Sequence, residues 1–252
     1  HQVYARREVL LSAGPLKSPQ LLELSGIGNA EVIGRHGIGV VHHLPAVGEN
    51  LRDHPNVRLT YECSKPITIN DVLTNPLIRM KEGMRFVFTR KGFLTICSAT
   101  AQANVRSDAT SKQPDLVLRL LPVSGKDRYA RTARYGMDPF PGFAIGVTVL
   151  QPRSIGSLHI RSNDPYEQAS MDPKYLSHEA DAQLFVDGMR LARALADRPA
   201  LKPLIVRETR PGPGVTDSAG MLDYIRETVQ TSWHMVGTCK MGVDDSAVVD
   251  PE

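Results

Sequence analysis

Hydrophobic positions come in short clusters before residue 56 and in alternating or three-to-four-spaced patterns after it. Val9, Leu10 and Leu11, ending in Ser12-Ala13-Gly14, predict a short buried strand over residues 8–14. Its glycine exit would let a ligand come close to the backbone, because no Cβ intrudes at Gly14. Ser18 reads as a helix N-cap with Pro19 at the first helical position, and a Leu-rich helix then runs to Ser25-Gly26-Ile27-Gly28. Asn29 is placed to cap a second short helix closing at Gly37. Val40 and Val41 continue as strand, and residues 44–55 read as an irregular connection.

From residue 56 onward the pattern becomes strands separated by longer loops and a few helices. Residues 58–62 alternate as a half-buried strand should. Residues 76–90 fit an amphipathic helix with Leu77, Met80, Met84 and Phe88 inward and Gly92 as its stop. Residues 116–121, 143–150 and 157–161 read as strands of an antiparallel sheet, and residues 126–142 as a mobile surface loop. The clearest helix spans 178–196, with Ala182, Phe185, Met189, Ala192 and Leu195 at helical spacing. Pro211-Gly212-Pro213-Gly214 breaks the chain. Asp217 or Ser218 then caps a last helix through Leu222, Ile225 and Val229, which leads to Trp233 and His234. The fold class expected is α+β.

Composition narrows the function classes. Thirty basic residues are interspersed with twenty-seven acidic ones, for a net charge of only +3, so nothing resembles a nucleic-acid footprint. No apolar run approaches the ~20 residues of a membrane helix. Cys63, Cys97 and Cys239 are odd in number and far apart. They indicate neither a disulfide framework nor a zinc site, and favour a reducing, cytoplasmic setting. The chain opens directly on a strand pattern and ends just after Val248-Val249, as an internal piece of a longer protein would.

Familiar signatures are missing. Gly26-Ile27-Gly28, Gly37-Ile38-Gly39 and Gly212-Pro213-Gly214 each lack the third glycine of a dinucleotide fingerprint. There is no phosphate-binding P-loop and no Gly-x-Ser-x-Gly elbow. His36, His42 and His43 are close in sequence but have no carboxylate at ligand spacing, so they read as surface residues. His54 and His159 read as hydrogen-bonded structural residues. His234 is different: it follows Trp233 and precedes a glycine-punctuated turn, at the end of an element where a side chain can face a ligand. A buried structural histidine and a general base or hydrogen-bond donor are both open on this pattern alone.

Two stretches together carry a family resemblance. Ser232-Trp233-His234-Met235-Val236-Gly237-Thr238-Cys239-Lys240-Met241-Gly242 is similar to the His-x-x-Gly-Thr-x-x-Met-Gly segment of the glucose-methanol-choline oxidoreductases, with Met235 where proline is usual. Gly14, Ser18-Pro19-Gln20-Leu21-Leu22 and Ser25-Gly26-Ile27-Gly28 resemble that family's second signature. Between the two, Gly48-Glu49-Asn50-Leu51-Arg52-Asp53-His54-Pro55 matches its Gly-x-Asn-Leu-x-Asp-His-Pro segment. Residues 152–162 are similar to its Pro-x-Ser-x-Gly strand entry, with Ile155 where arginine is common.

The resemblance implies a partial FAD-binding domain, within an α/β FAD-binding fold, plus a substrate domain built on an antiparallel sheet with flanking helices. Residues 1–56 would belong to the FAD part, 57–228 to the substrate domain (the family's C-terminal region starting near 150), and 229–252 to the return into the FAD part. FAD would be the cofactor and a primary alcohol, choline-like or other, the substrate. His234 would act as general base or hydrogen-bond catalyst, and Ala13, Gly14 and Trp233 would lie against the cofactor. The family's glycine-rich fingerprint is expected before His1 and its second catalytic His or Asn after Glu252, so the 252 residues alone are expected to bind FAD poorly and turn nothing over. The electron acceptor, whether oxygen, quinone or another, is not specified by these residues. Two rivals stand beside this reading: an FAD-containing hydroxynitrile lyase of the same family, and a non-catalytic partial remnant.

Overall fold

The computed structural model describes residues 4–96, 99–126 and 136–252. Most of the surface loop expected over 126–142 therefore lies outside the described residues, as does Cys97. Contacts divide the chain into two units, one made of residues 1–53, 152–177 and 233–252 and the other of residues 54–151 and 178–232.

The second unit is built on an antiparallel sheet. Strand β3 (Pro55–Cys63) pairs with β6 (Gly142–Val149) from Asn56 opposite Thr148 to Glu62 opposite Gly142. Strand β6 pairs in turn with β5 (Leu116–Leu121), and β5 with β4 (Ala101–Val105). The free edge of β3 is shared, with β9 (Ile205–Arg210) along Thr60 to Cys63 and β10 (Gln230–Thr231) along Pro55 and Asn56. Strand β3 is thus central and buried on both faces, where the sequence pattern predicted a half-buried strand; the partners covering its edge, β9 and β10, have weak apolar patterns.

Opposed residues of an antiparallel pair share a face. Val57 with Val147, Leu59 with Ile145, and Tyr61 with Phe143 therefore line one side of the sheet, and the last pair stacks with ring centroids 5.2 Å apart. Helix α5 (Glu179–Ala196) lays fully buried Phe185, Met189 and Ala192 on this side. Gly188 allows the close approach, since a Cβ there would lie 2.4 Å from Val147 Cγ1. His178 caps α5 by accepting the Ala180 N–H, and Leu195, expected inward, is 37% exposed at the last turn. Helix α6 (Ser218–Thr228) is capped by Asp217, which accepts the Gly220 N–H at 2.7 Å, and buries Met221 and Ile225. Two bidentate ion pairs fasten β9, Arg193 to Glu208 and Arg210 to Asp138.

A helical hairpin completes this unit. Thr68 and Asp71 form a capping box at the start of α3 (Ile69–Thr74), and the Asn75 side chain accepts the Leu77 and Ile78 N–H groups at the start of α4 (Pro76–Thr89). The expected helix is present but its stripe points outward. Leu77, Met80, Met84 and Phe88 are 71, 57, 50 and 82% exposed, and Glu82 is the buried residue of α4. Periodicity reports that an apolar face exists, and it carries no information on what that face meets.

In the first unit, helix α1 (Gly14–Leu24) begins a full turn earlier than the Ser18 cap predicted, and Pro19 lies inside it. Pro19 has no N–H to offer the Pro15 carbonyl one turn back. That carbonyl instead accepts the buried Thr238 hydroxyl at 2.5 Å, and Ser18 Oγ accepts the Ala13 N–H. The strand predicted over 8–14 is absent: among the described residues nothing pairs with it, and Val9 and Leu10 are 82 and 81% exposed. Strand β1 (Ile27–Gly28) runs parallel to β2 (His42–His43), so the strand expected at Val40 and Val41 starts two residues later. Between them α2 (Ala30–Arg35) is capped by Asn29, which accepts the Glu31 N–H, while His43 Nδ1 accepts the Ala30 N–H.

Residues 157–161, expected in the large sheet, form a separate ribbon of β7 (Ser157–His159) and β8 (Ser170–Asp172). This ribbon is clamped to α1 by a buried acid. Fully buried Glu23 meets His159 Nδ1 at 2.7 Å and accepts the Ile160 N–H at 2.8 Å, while His159 Nε2 meets Glu49 at 3.0 Å. His159 is the hydrogen-bonded structural residue its strand position suggested.

Candidate active site

His234 owes its position to three local features of the first unit. Trp233, immediately before it, has φ +60°, a left-handed conformation that is rare for a bulky aromatic and turns the chain sharply. The His234 N–H then donates to Asp53 Oδ1 at 2.9 Å, and the other oxygen of this buried carboxylate accepts the Tyr175 hydroxyl at 2.5 Å. Beyond it, Arg52 and Val236 form a two-way antiparallel bridge with both N···O distances at 2.9 Å. Gly237 follows with φ +95°, and a Cβ there would lie 2.3 Å from the Asn50 carbonyl oxygen, so only glycine fits. The backbone around His234 is therefore fixed on both sides, while the side chains of Trp233 and His234 are exposed.

The same turn reaches the first signature. Thr238, fully buried, donates to the Pro15 carbonyl and its own carbonyl accepts the Gly48 N–H at 2.9 Å. The segments holding His234, Gly14 and Asn50 to Asp53 are thus tied together although they are distant in sequence. Gly14 has φ +79°, and among the described residues nothing beyond its chain neighbours and its own helix backbone lies within 4 Å of where its Cβ would stand. Ala13 beside it is exposed. These residues suit a flat or phosphorylated ligand, because such a group can come directly against the backbone at Gly14 without displacing a side chain.

Asp53, Tyr175 and Thr238 were not singled out from sequence. Asp53 and Thr238 stand inside the quoted motifs, but a motif does not say that its acid holds a backbone amide. Tyr175 sits in no motif, and only the fold brings it to Asp53.

Family models described as GMC oxidoreductase match residues 1–56 and 152–252. The chain belongs to the GMC oxidoreductase family. Among relatives of this family, an alcohol dehydrogenase [acceptor] of Pseudomonas putida is 37% identical over 97% of the chain and 43% of its own length. An oxygen-dependent choline dehydrogenase of Cronobacter sakazakii is 36% identical over 100% of the chain and 44% of its own length. Of solved structures, pyridoxine 4-oxidase from Mesorbium loti matches with TM-score 0.76 and 28% identity over 95% of the chain and 42% of its own. Aspergillus oryzae formate oxidase matches with TM-score 0.86 and 25% identity over 98% of the chain and 47% of its own. The chain spans less than half the length of these GMC relatives. The α+β architecture expected from the resemblance, an antiparallel sheet with flanking helices beside further FAD-fold elements, agrees with these likenesses.

Proposed function

We propose that the protein to which this chain belongs oxidises a primary alcohol, choline-like or other, with FAD as cofactor. The observation that carries the reading is the fixed backbone at His234, held by buried Asp53 just after the left-handed turn at Trp233, with the imidazole left exposed. Such an exposed side chain can be reached by a ligand. Residues 1–56 and 229–252 then belong to the FAD part and residues 57–228 to the substrate part, apart from 152–177, which pack with the first unit. Ala13, Gly14 and Trp233 border the cofactor. FAD, when bound, supplies the acceptor for the hydride that leaves the alcohol carbon. The imidazole of His234 takes the hydroxyl proton as the carbon–oxygen double bond forms, or donates a hydrogen bond to the developing alkoxide. Asp53 keeps the imidazole's backbone from shifting during that transfer.

The test uses the complete gene product with FAD bound, mixed anaerobically with a panel of primary alcohols including choline. Bleaching of the flavin by at least one alcohol is expected, and His234→Ala should slow it by roughly 10²–10⁴-fold. A flavin left oxidised by every alcohol would defeat the reading and favour a lyase. Unchanged reduction in the His234→Ala protein would remove the histidine from the mechanism while leaving the flavin chemistry intact.

A further inference from the structure

The hairpin of α3 and α4 has a surface that the proposed chemistry does not use. At ~100° per residue, Leu77, Met80, Met84, Val87 and Phe88 fall within an arc of roughly 100° on α4. All five are at least half exposed. Ile78, Glu82 and Phe86 lie on the opposite side and are the half-buried or buried positions by which the helix rests on its own unit. Ile67, Leu73 and Leu94, in the segments flanking the helix, are also exposed.

Charge is sorted around this stripe. Between residues 64 and 96 the cations are Lys65, Arg79, Lys81, Arg85, Arg90 and Lys91, and every one is exposed. The two acids of that stretch, Asp71 and Glu82, are buried at 7 and 8% exposure. Asp71 is taken up by the Thr68 cap, and Glu82 by the Phe93 N–H and Arg85. This stretch therefore carries six exposed cations, one of them paired with Glu82, against two buried acids, a net charge of +4 in a chain whose whole net charge is +3. Lys81 lies directly beside the apolar arc, at roughly 20° from its edge.

We propose that this hairpin docks on an anionic phospholipid surface, with α4 lying in the plane of the headgroups. An apolar stripe flanked by exposed cations matches that two-layered environment, acyl chains below and phosphates around. A protein partner would call for acidic side chains of its own set around an apolar groove, whereas a bilayer offers both features everywhere. The helix lies on the membrane rather than through it: among the described residues, no helix is long and apolar enough to cross one.

The complete gene product is sedimented with vesicles of phosphatidylcholine alone, or of phosphatidylcholine and phosphatidylglycerol in equal parts. Sedimentation with the mixed vesicles is expected, weakening as salt screens the cations. The double variants Met84→Asp/Phe88→Glu and Lys81→Glu/Lys91→Glu should each lower the bound fraction at least about tenfold, with thermal melting unchanged because these side chains are exposed. Met80 and Met84 should oxidise readily in lipid-free protein and be protected by mixed vesicles. No sedimentation at low salt, or binding that neither variant weakens, overturns the proposal. So does slow oxidation of both methionines without lipid, which would mean that protein covers the stripe. A dimer dissociated by the Met84→Asp/Phe88→Glu variant, with vesicle binding unaffected, would reassign the face to a second copy.

Discussion

Asp53 is the residue on which the geometry around His234 turns. Its carboxylate satisfies the His234 N–H and the Tyr175 hydroxyl at once, in a place where water does not reach. Asp53→Ala removes the carboxylate that both groups donate to and should cost about 2–4 kcal/mol in urea unfolding. In the complete flavoprotein it should lower kcat more than it raises KM, since the histidine is displaced rather than the substrate. Asp53→Asn keeps one acceptor oxygen and should recover part of both losses. Thr238 is a similar case. Its methyl is as large as that of valine, so Thr238→Val tests only the hydroxyl and the Pro15 carbonyl that Pro19 leaves without a helical partner. A loss of about 1–3 kcal/mol is expected, with Thr238→Ser close to wild type. An unchanged midpoint for the valine variant would mean that the carbonyl is satisfied without it.

The clamp between α1, β7 and the Glu49 loop makes stability depend on pH. The hydrogen bond that His159 donates to Glu23 is the main influence raising its pKa above the ordinary 6.5; burial opposes it, and Glu49 adds to it. A histidine whose folded pKa lies above its unfolded value contributes fully below the unfolded pKa and loses that contribution as pH rises through the folded one. The melting temperature should therefore fall as pH is raised from about 6 to about 9, and His159→Gln should flatten that slope. A wild-type slope retained in the glutamine variant would place the titrating group elsewhere. These elements also mark what the sequence discloses. Asn29, Asp217 and His178 announce helix starts because a cap acts on its own next residues, and β5 and β6 are legible because both of their faces are apolar. The outward turn of the α4 stripe, the lack of a strand partner for residues 8–13 among the described residues and the removal of β7 to its own ribbon depend on distant chain, which local pattern does not encode. The motif singles out His234 as a candidate; the Asp53–Tyr175 contact beside it is not visible in sequence, because it joins residues 122 positions apart.

Connectivity couples the two units more tightly than two separate domains would be. The first is assembled from three segments, and residues 54–151 and 178–232, which separate them, fold as the second. If the second unit unfolded alone, the first would have to hold closed one loop of about a hundred residues and another of about fifty. Loop closure at those lengths costs on the order of 4 and 3.5 kcal/mol. Together these are comparable with the 5–15 kcal/mol that keeps an ordinary domain folded. The first unit should therefore not survive loss of the second, and damage confined to the second should be felt by both. Ile145 provides the damage: it is fully buried at the centre of β6, opposite Leu59, and Ile145→Ala should cost about 2–5 kcal/mol. Trp233, the single tryptophan, reports on the first unit by fluorescence, and far-UV circular dichroism is weighted toward α5, α6 and the sheet of the second. In urea both signals should move together to a lower midpoint in the variant. A tryptophan transition that stays at the wild-type midpoint while the dichroism shifts would show that the three segments hold one another without the unit between them.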